Sequence, residues 1–525
     1  MISQTQFTRS FGVGQQPHPV RRPQTASKQS KRTIRTPAVG GNPRKQRARI
    51  LWSTSAKQSL QQRLQHQVHV SASAANAAGG AESSGSGPRG DSPGSSESIP
   101  AAPRYVFFRL SAFYWFYFLL VGIRTPFFPL WLGTEKGLSS EAIGLVLSAT
   151  QCSRLLSGPV FGAIADAIRS PRLVAIVLAA IATMAFVAQE YAPTIPALVL
   201  IGMVANSAMS GVLPLGETSA IAALRGQNAG YGRARLWGSL GFITANLLAG
   251  RLVGSFGASV VISALSVCAL FVVIAVCALP RGQVPARDAV AGSAADVSGE
   301  ESSDGMPDSS SSGTSEKAPV PNRRKVWREG RALLTHPVFV LFVISASLLQ
   351  ASHAVYYSFS TISLKQAGYS ASAIGALWAT GVLAEVALFA SPIETRLRPT
   401  MLLMLAGLAA VTRWVGMSFV PPFPVLLLLQ CLHAFTFGAC HLGTMHFIAA
   451  AAPPALQATA QGWYSTTADG VVMGLCTLAA GVIYHRYHSA AFGVMALLAI
   501  VGLVLAWMVD KKWDGKQLDI NRHNQ

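Results

Sequence analysis

Tyr231-Gly-Arg-Ala-Arg-Leu-Trp-Gly238 opens a long apolar segment with two arginines in it, and the apolar segment before it closes on Glu217. An ionised side chain at bilayer depth costs roughly 2.5 to 3.5 kcal/mol on insertion scales, so it persists only where it is paired or lines a polar cavity. Glu217 and Arg235 lie 18 residues apart, at facing ends of adjacent segments. There each offsets part of the cost of burying the other. Charges kept inside otherwise apolar helices point to a path for solutes through a membrane.

Half of the 525 residues are hydrophobic and 12% are charged, against about 25% charged in soluble domains. With its positive mean hydropathy, the chain reads as a polytopic membrane protein. The formal charge of +20 is unevenly placed: the first 80 residues hold 13 Lys and Arg and no Asp or Glu. Beyond them 29 basic residues stand against 22 acidic ones. That is ordinary for basic loops on one side of a membrane, and no nucleic-acid partner is expected. Six cysteines (Cys152, Cys268, Cys277, Cys431, Cys440, Cys476) fall inside apolar segments without zinc-site spacing, and read as small core residues. No cofactor or metal is expected. A nucleotide-binding G-x-x-x-x-G-K-[ST] loop is absent from the sequence, which argues against ATP-driven transport, and with no nucleophile triad the chain is not read as an enzyme.

The first acidic residue is Glu82, and what precedes it is rich in Arg, Ser and Gln, with no apolar core long enough for a secretory signal. Residues 1–75 are therefore expected to be an organellar transit peptide. Val70-Ser-Ala72, followed by Ser, Ala and Gly, resembles a stromal processing site. A plastid membrane is the expected location, with the mitochondrion and the plasma membrane as alternatives. Residues 76–104 read as a disordered tether.

Twelve apolar segments follow, starting near Tyr105, Ser140, Leu173, Pro196, Gly232, Ala258, Pro337, Ser370, Thr400, Pro424, Gln461 and Ala490. Each has the roughly 20 residues that cross a bilayer. Six occupy 105–280 and six 336–512, separated by 281–335, whose Ser, Gly and Asp give way to Arg323-Arg-Lys-Val-Trp-Arg328. That stretch is expected to be a disordered inner linker, and 513–525 a C-terminal tail. Arg169, Arg172, Arg225, the linker, Arg396, Arg398, Lys511 and Lys512 all fall on one side of this topology, which the positive-inside rule makes the inner one. The expected fold is an all-α membrane protein of two pseudo-symmetric six-helix bundles, with a substrate site between them near the midplane.

This architecture and several local stretches resemble the major facilitator superfamily. Phe116-Tyr-Phe-Leu-Leu-Val-Gly122 with Pro126-Phe-Phe-Pro-Leu-Trp-Leu132 is similar to the first helix of lactose permease, and Gly232-Arg-Ala-Arg235 to the start of its fifth. Gly158-Pro-Val-Phe-Gly162 and Asp166 resemble the superfamily's motif after helix 2, although Ala167 stands where that motif has a basic residue. Ser352-His-Ala-Val-Tyr-Tyr-Ser-Phe-Ser360, Ala367-Gly-Tyr-Ser-Ala-Ser-Ala-Ile-Gly375 and Gly381-Val-Leu-Ala-Glu385 resemble the bacterial phenylpropionate permease group. Together the likeness covers residues 105 to 512.

The resemblance assigns expected roles. In lactose permease the pair matching Glu217 and Arg235 holds the sugar, and a purely structural bridge between the fourth and fifth helices is the alternative. Phe242 occupies the place of its sugar-stacking tryptophan, keeping an apolar platform but losing the indole donor. Arg124 and Arg154 lie within segments 1 and 2, so each should face the cavity or an acidic partner. With Arg235 they outnumber Glu217, and surplus guanidinium suits a carboxylate, which it grips with two donors. Snorkelling to the membrane face is the alternative for Arg124, and less so for Arg154.

In the second half, Arg413 and His433 match the proton-coupling arginine and histidine of lactose permease, and Glu385 on the neighbouring helix completes a charged set. The glutamate that the family has three residues after the histidine is Thr436 here, so Glu385 is the expected proton carrier. Asp469 stands where lactose permease has a lysine, with His353 as a candidate partner. Asp166 is expected at an inner gate. Tyr356, Tyr357, Phe359 and Trp378 are candidates for an aromatic-tolerant pocket, with packing as the plainer reading of each. The expected function is secondary active transport of a small organic solute, an organic acid or sugar-like molecule, with H+ symport by a monomer. The alternatives are a uniporter or exchanger, and a solute sensor on the same scaffold.

Overall fold

The computed structural model describes residues 104–223, 231–280 and 323–520, which are helical apart from turns and short connections. The expected transit peptide, nearly all of the tether, Arg225, the linker up to residue 322 and the last five residues of the tail lie outside the described residues. The first bundle runs through α1 (Arg104–Thr134), α2 (Ser140–Cys152), α3 (Arg154–Ile168), α4 (Pro171–Glu190), α5 (Ile195–Ala223), α6 (Tyr231–Phe256) and α7 (Val260–Ala278). After α8 (Arg323–Thr335) the second contains α9 (Pro337–Ala351), α10 (Ala354–Gln366), α11 (Ala371–Phe389), α12 (Pro399–Ser418), α13 (Phe423–Cys431), α14 (Cys440–Ala451), α15 (Gln457–Ser465), α16 (Met473–Tyr487) and α17 (Ala491–Lys512). Two π-helical turns, Ala434–Ala439 and Thr466–Val472, join α13 to α14 and α15 to α16.

Among the described residues, ten stretches are long and apolar enough by themselves to cross a membrane. One of them, Pro454–Lys512, contains α16 and α17 joined by a 3-10 turn at His488–Ala490. α2 and α3 are each too short, but only Ser153 separates them. The described residues thus show the helical membrane fold, with ten candidate spans where twelve are expected.

Local chemistry sets the helix ends. Ser139, Ser170 and Ser370 accept hydrogen bonds from the backbone N–H groups of Ala142, Leu173 and Ala373, and Pro171, Pro337 and Pro399 occupy first turns, where the missing donor costs nothing. α10 ends on Gly368, whose φ of +89° is left-handed. That lets the Tyr369 N–H return to the Leu364 carbonyl at 3.0 Å and aims Ser370 to cap α11.

Residues 323–335, expected as linker, form α8 instead. Its Gly330, Ala332 and Leu333 are buried while Arg328 and Arg331 are exposed, so one face of the helix has a partner to bury against. The beginning of the tail is also packed: Trp513 lies 4.5 Å from the Phe447 ring, and Leu518 donates its N–H to Ala451 at 2.9 Å.

The two broadest seams between the bundles are each built where a side chain would not fit, and α1 also packs against α10. α2 meets α16 so closely that a Cβ on Gly144 would lie 2.8 Å from the Gly481 Cα, and one on Gly481 2.7 Å from the Ser140 carbonyl. Ser148 donates to the Gly474 carbonyl at 2.8 Å, and Glu141 and His485 approach to 3.2 Å beside it. α6 meets α11 in the same way, with a Cβ on Gly375 placed 2.2 Å from the Asn246 carbonyl. Both seams lie toward the membrane side opposite the loop cations. On the cation-rich side, a Cβ on Gly158, Gly162 or Gly462 would meet nothing within 4 Å. The close glycine contacts between these helices are thus gathered toward the outer end.

Gly375→Val should force the α6–α11 seam apart. A thiol introduced as Thr477→Cys on the cavity wall should then react with a membrane-impermeant maleimide from the outer side, faster than in the Thr477→Cys protein alone. Equal labelling in both would show that the seam does not hold the outer end shut.

Candidate functional site

Between the bundles lies a cavity of about 640 Å³. Its first-bundle wall includes Tyr117, Phe118, Arg124, Gln151, Arg154, Asn206, Arg235 and Phe242. The second-bundle wall includes Tyr356, Tyr357, Trp378, Glu385, His433 and Asp469.

Arg154 follows the break between α2 and α3, and the second bond set at this break comes from α5. The Ser153 hydroxyl donates to the Thr150 carbonyl at 2.8 Å, the Asn206 amide donates to the same carbonyl, and Ser157 and Ser210 share a hydrogen bond of 2.6 Å. Carbonyls freed by the irregularity thus find donors, and the guanidinium is left exposed to the cavity. Arg124 rests 5.6 Å from the centre of the Phe128 ring. Among the described residues no carboxylate comes within 4.0 Å of Arg124 or Arg154.

Arg235 also faces the cavity, with its guanidinium 4.6 Å from the Phe118 ring centre and 5.2 Å from that of Tyr114. The hydroxyl of the same Tyr114 donates to Glu217 at 2.8 Å. Tyr114, fully buried, thus links the two charges, and Glu217 itself is not part of the wall. Phe242 lies on the wall, pressed close because Gly122 lets α1 approach: a Cβ there would sit 2.8 Å from the Phe242 carbonyl. Asp166 is exposed at the end of α3, outside the cavity, three residues before Arg169 turns left-handed at φ 55°.

In the second bundle the structure brings Arg413, His433 and Glu385 together. Arg413 is fully buried. Its Nη1 lies 3.0 Å from His433 Nδ1 and donates to Thr436 Oγ1 at 3.1 Å, and its Nη2 donates to Gln430 Oε1 at 2.6 Å. The guanidinium lies over two rings, 4.4 Å from Tyr356 and 4.8 Å from Trp414. A guanidinium only donates, so His433 Nδ1 must accept and its proton sits on Nε2. That Nε2 is 3.6 Å from Glu385 Oε2, an electrostatic approach rather than a formed hydrogen bond.

The same logic orients the neighbouring chain. His353 Nδ1 faces the Gln350 carbonyl at 3.0 Å and so carries a proton, leaving Nε2 to accept from Thr436 at 3.0 Å. Thr436 therefore takes a proton donor from Arg413 and passes its own to His353. The expected pairing of His353 with Asp469 does not form: Asp469 accepts from Ser465 at 3.1 Å. Thr436 competes for His353 because the π-helical turn Ala434–Ala439 places it beside the Ser352–His353 break between α9 and α10.

Gln430, Gln350, Gln151 and Tyr114 were not singled out from sequence. Gln430 ends the run Val425-Leu-Leu-Leu-Leu-Gln430, and a primary amide in such a run is itself a signal of internal pairing. It accepts from both Arg413 and Tyr356, the latter at 2.9 Å.

A family model described as "MFS_1 like family" matches residues 107–517. The chain is 31% identical over 397 residues to a "Probable 3-phenylpropionic acid transporter" of Escherichia coli (strain K12), covering 75% of this chain and 95% of that protein. It is 26% identical to a "Maltose permease" of Geobacillus stearothermophilus, covering 78% and 96%. Among solved structures, the nucleoside transporter NupG has a similar fold, with a TM-score of 0.62 at 18% identity over 78% of this chain and 100% of that one. A D-xylose-proton symporter matches with a TM-score of 0.56 at 12% identity, over 80% and 100%.

Gln430→Leu should leave two buried donors, Arg413 Nη2 and the Tyr356 hydroxyl, without an acceptor. Each stranded group costs about 1–3 kcal/mol. Thermal unfolding in detergent should show a clear fall in Tm relative to the parent protein, and an unchanged Tm would show that Gln430 does not sustain the buried charge.

Proposed function

We propose, on the premise that this chain belongs to the MFS_1-like family and is a membrane transporter of the major facilitator type, that it carries aryl carboxylates together with protons by alternating access. The observation that supports this most directly is the pair Arg124 and Arg154, two guanidiniums on one cavity wall with no carboxylate within 4.0 Å among the described residues. A cavity with unpaired positive charge favours an anion, and the planar two-donor fork of arginine fits a carboxylate. The opposite wall presents Tyr356 and Trp378 stacked at 4.4 Å, a surface for a planar apolar body. The likeness to a phenylpropionic acid transporter is consistent with both features.

In this reading the solute anion settles against Arg124 and Arg154. Glu385 is the second-bundle carboxyl that loads and releases the proton, because it borders both the cavity and the His433 N–H. His433 does not carry the proton: its free lone pair, on Nδ1, is taken by Arg413. With the anion neutralised by arginine and Glu385 protonated, the walls can close on a site carrying less uncompensated charge. A proton-independent exchanger is the second reading, favoured by Thr436 at the position where the resemblance places a glutamate.

Proteoliposomes with an imposed pH gradient test both parts. Wild-type protein should accumulate 3-phenylpropanoate. Arg154→Lys should weaken its binding about tenfold or more, since a point charge does not replace a fork. Glu385→Gln should abolish gradient-driven accumulation but keep exchange at equal concentrations. Uptake of maltose indifferent to Arg154→Lys would refute the carboxylate reading, and normal accumulation by Glu385→Gln would refute the proton carrier.

We place the transporter in a plastid membrane on the strength of the acid-free basic stretch before Glu82. Residues 1–100 fused to a fluorescent reporter should enter plastids and be cut near residue 72. A reporter excluded from plastids would remove this assignment.

A further inference from the structure

We infer that Tyr357 reads a hydroxyl group on the end of the solute distant from its carboxylate, so that the preferred solutes are hydroxylated aryl carboxylates. This rests on the reading of the central cavity as an aryl-carboxylate site.

Tyr357 lies on the second-bundle wall of the cavity, half-buried. Its ring is fixed on several sides. It stacks on His353, four residues earlier at the break before α10, at 5.3 Å and 19°, and lies 6.2 Å from Trp378 at 30° and 5.7 Å from Tyr356. His353 is itself held by the Gln350 carbonyl and Thr436, with the Trp414 ring edge-on at 5.0 Å. The direction of the Tyr357 side chain is therefore set before any solute arrives, which lowers the entropic cost of using it for recognition.

Its hydroxyl has no hydrogen-bond partner among the described residues. The contrast with neighbouring tyrosines is direct: the Tyr114 hydroxyl bonds Glu217, that of Tyr117 the Met209 carbonyl, that of Tyr356 Gln430, and that of Tyr484 Gln366. The protein supplies an acceptor for each of these and none for Tyr357. Two further polar atoms of the same wall, Gln350 Oε1 and Trp378 Nε1, are buried with no partner. Those two atoms are buried in this conformation, whereas the Tyr357 hydroxyl is not among the buried unpartnered atoms and so is open to a solute.

The opposite wall fixes which end of the solute this is. Arg124 and Arg154 belong to α1 and α3, and Tyr357 belongs to α10 of the other bundle. A solute whose carboxylate is held by the arginines presents its far end to the second bundle. A phenolic hydroxyl there both donates and accepts, as does Tyr357, and the aromatic body between the two ends lies against Trp378. A plain aryl acid would leave the tyrosine hydroxyl to water, or without a partner once the site closes. A neutral hydrogen bond contributes about 0.5–1.5 kcal/mol, so the discrimination expected is roughly three- to tenfold.

The test is calorimetric binding to the purified full chain in detergent, comparing 3-phenylpropanoate, 3-(4-hydroxyphenyl)propanoate and 3-(4-methoxyphenyl)propanoate. The hydroxylated acid should bind roughly three- to tenfold more tightly than the plain one, with the methoxy acid, which cannot donate, no tighter than the plain acid. In Tyr357→Phe the preference should shrink below twofold. Equal affinity of the plain and hydroxylated acids for the wild type overturns the inference while leaving the carboxylate site standing, and that comparison needs no variant. A preference that survives in Tyr357→Phe also overturns it. If none of the three acids binds, or binding ignores Arg154→Lys, the carboxylate reading falls and takes this inference with it.

Discussion

The second bundle is organised around one expensive object, a fully buried guanidinium at Arg413 with no carboxylate within 4.0 Å among the described residues. Its charge is spread over neutral dipoles and two aromatic faces: Gln430, His433 Nδ1, Thr436, Tyr356 and Trp414. An ion removed from water without a counterion is tolerated only when its donors are matched, and here one donor, Nε, still lacks a partner. The surrounding backbone bends to supply the rest. The π-helical turn that follows His433 and the break at Ser352–His353 bring Thr436 and His353 into one chain of bonds that starts at the guanidinium.

A pattern extends this across the cavity. Arg154 follows the α2–α3 break, His353 sits in the α9–α10 break, His433 adjoins one π-helical turn and Asp469 lies in the other. π-bulges inside α-helices occur mostly at functional sites, because the displaced carbonyls and re-aimed side chains are costly unless something uses them. Here Arg154, His433 and Asp469 line the space between the bundles, and His353 is buried behind that wall, stacked on Tyr357. Non-ideal helix geometry and buried charge are therefore two aspects of one arrangement.

The helices were legible in the sequence because apolar length and loop charge are coarse properties that bilayer thickness imposes directly. The clustering of Glu385, Arg413 and His433 was legible for a different reason: isolated ionisable residues in apolar helices have few places to go. Partner choice was not. A one-residue bulge rotates everything after it by about a quarter turn or more relative to a 3.6-residue helix, and no periodicity in Leu432-His-Ala-Phe-Thr436 announces it. Hence His353 was matched to Asp469 although Thr436 is what reaches it. Similarly, Tyr114 became the link between Glu217 and Arg235 through packing of α1 that spacing between α5 and α6 does not encode. The ordered α8 escaped notice because a short basic helix resembles a linker in composition until its buried face has a partner.

The two halves divide the electrostatic work unequally. Arg413 finds neutral partners for both its Nη atoms within its own bundle, with only Nε left over, whereas Arg124 and Arg154 face the cavity with no carboxylate of theirs within 4.0 Å among the described residues. A buried charge so surrounded gains little from a ligand, while unsaturated ones gain in proportion to how well water is excluded around them. Solute affinity is thus expected to belong mainly to the first bundle, and sensitivity to protonation to the second, through Glu385 beside His433. The glycine seams then matter for more than packing. Where Gly375 meets Asn246 and Gly144 meets Gly481 there is no side chain to remodel, so the bundles can separate there by losing contact rather than by rearranging rotamers. An anion bridging the unsaturated arginines and the second-bundle wall would add contacts between the halves beyond those seams. That differential contact is what a ligand must supply to shift a conformational equilibrium.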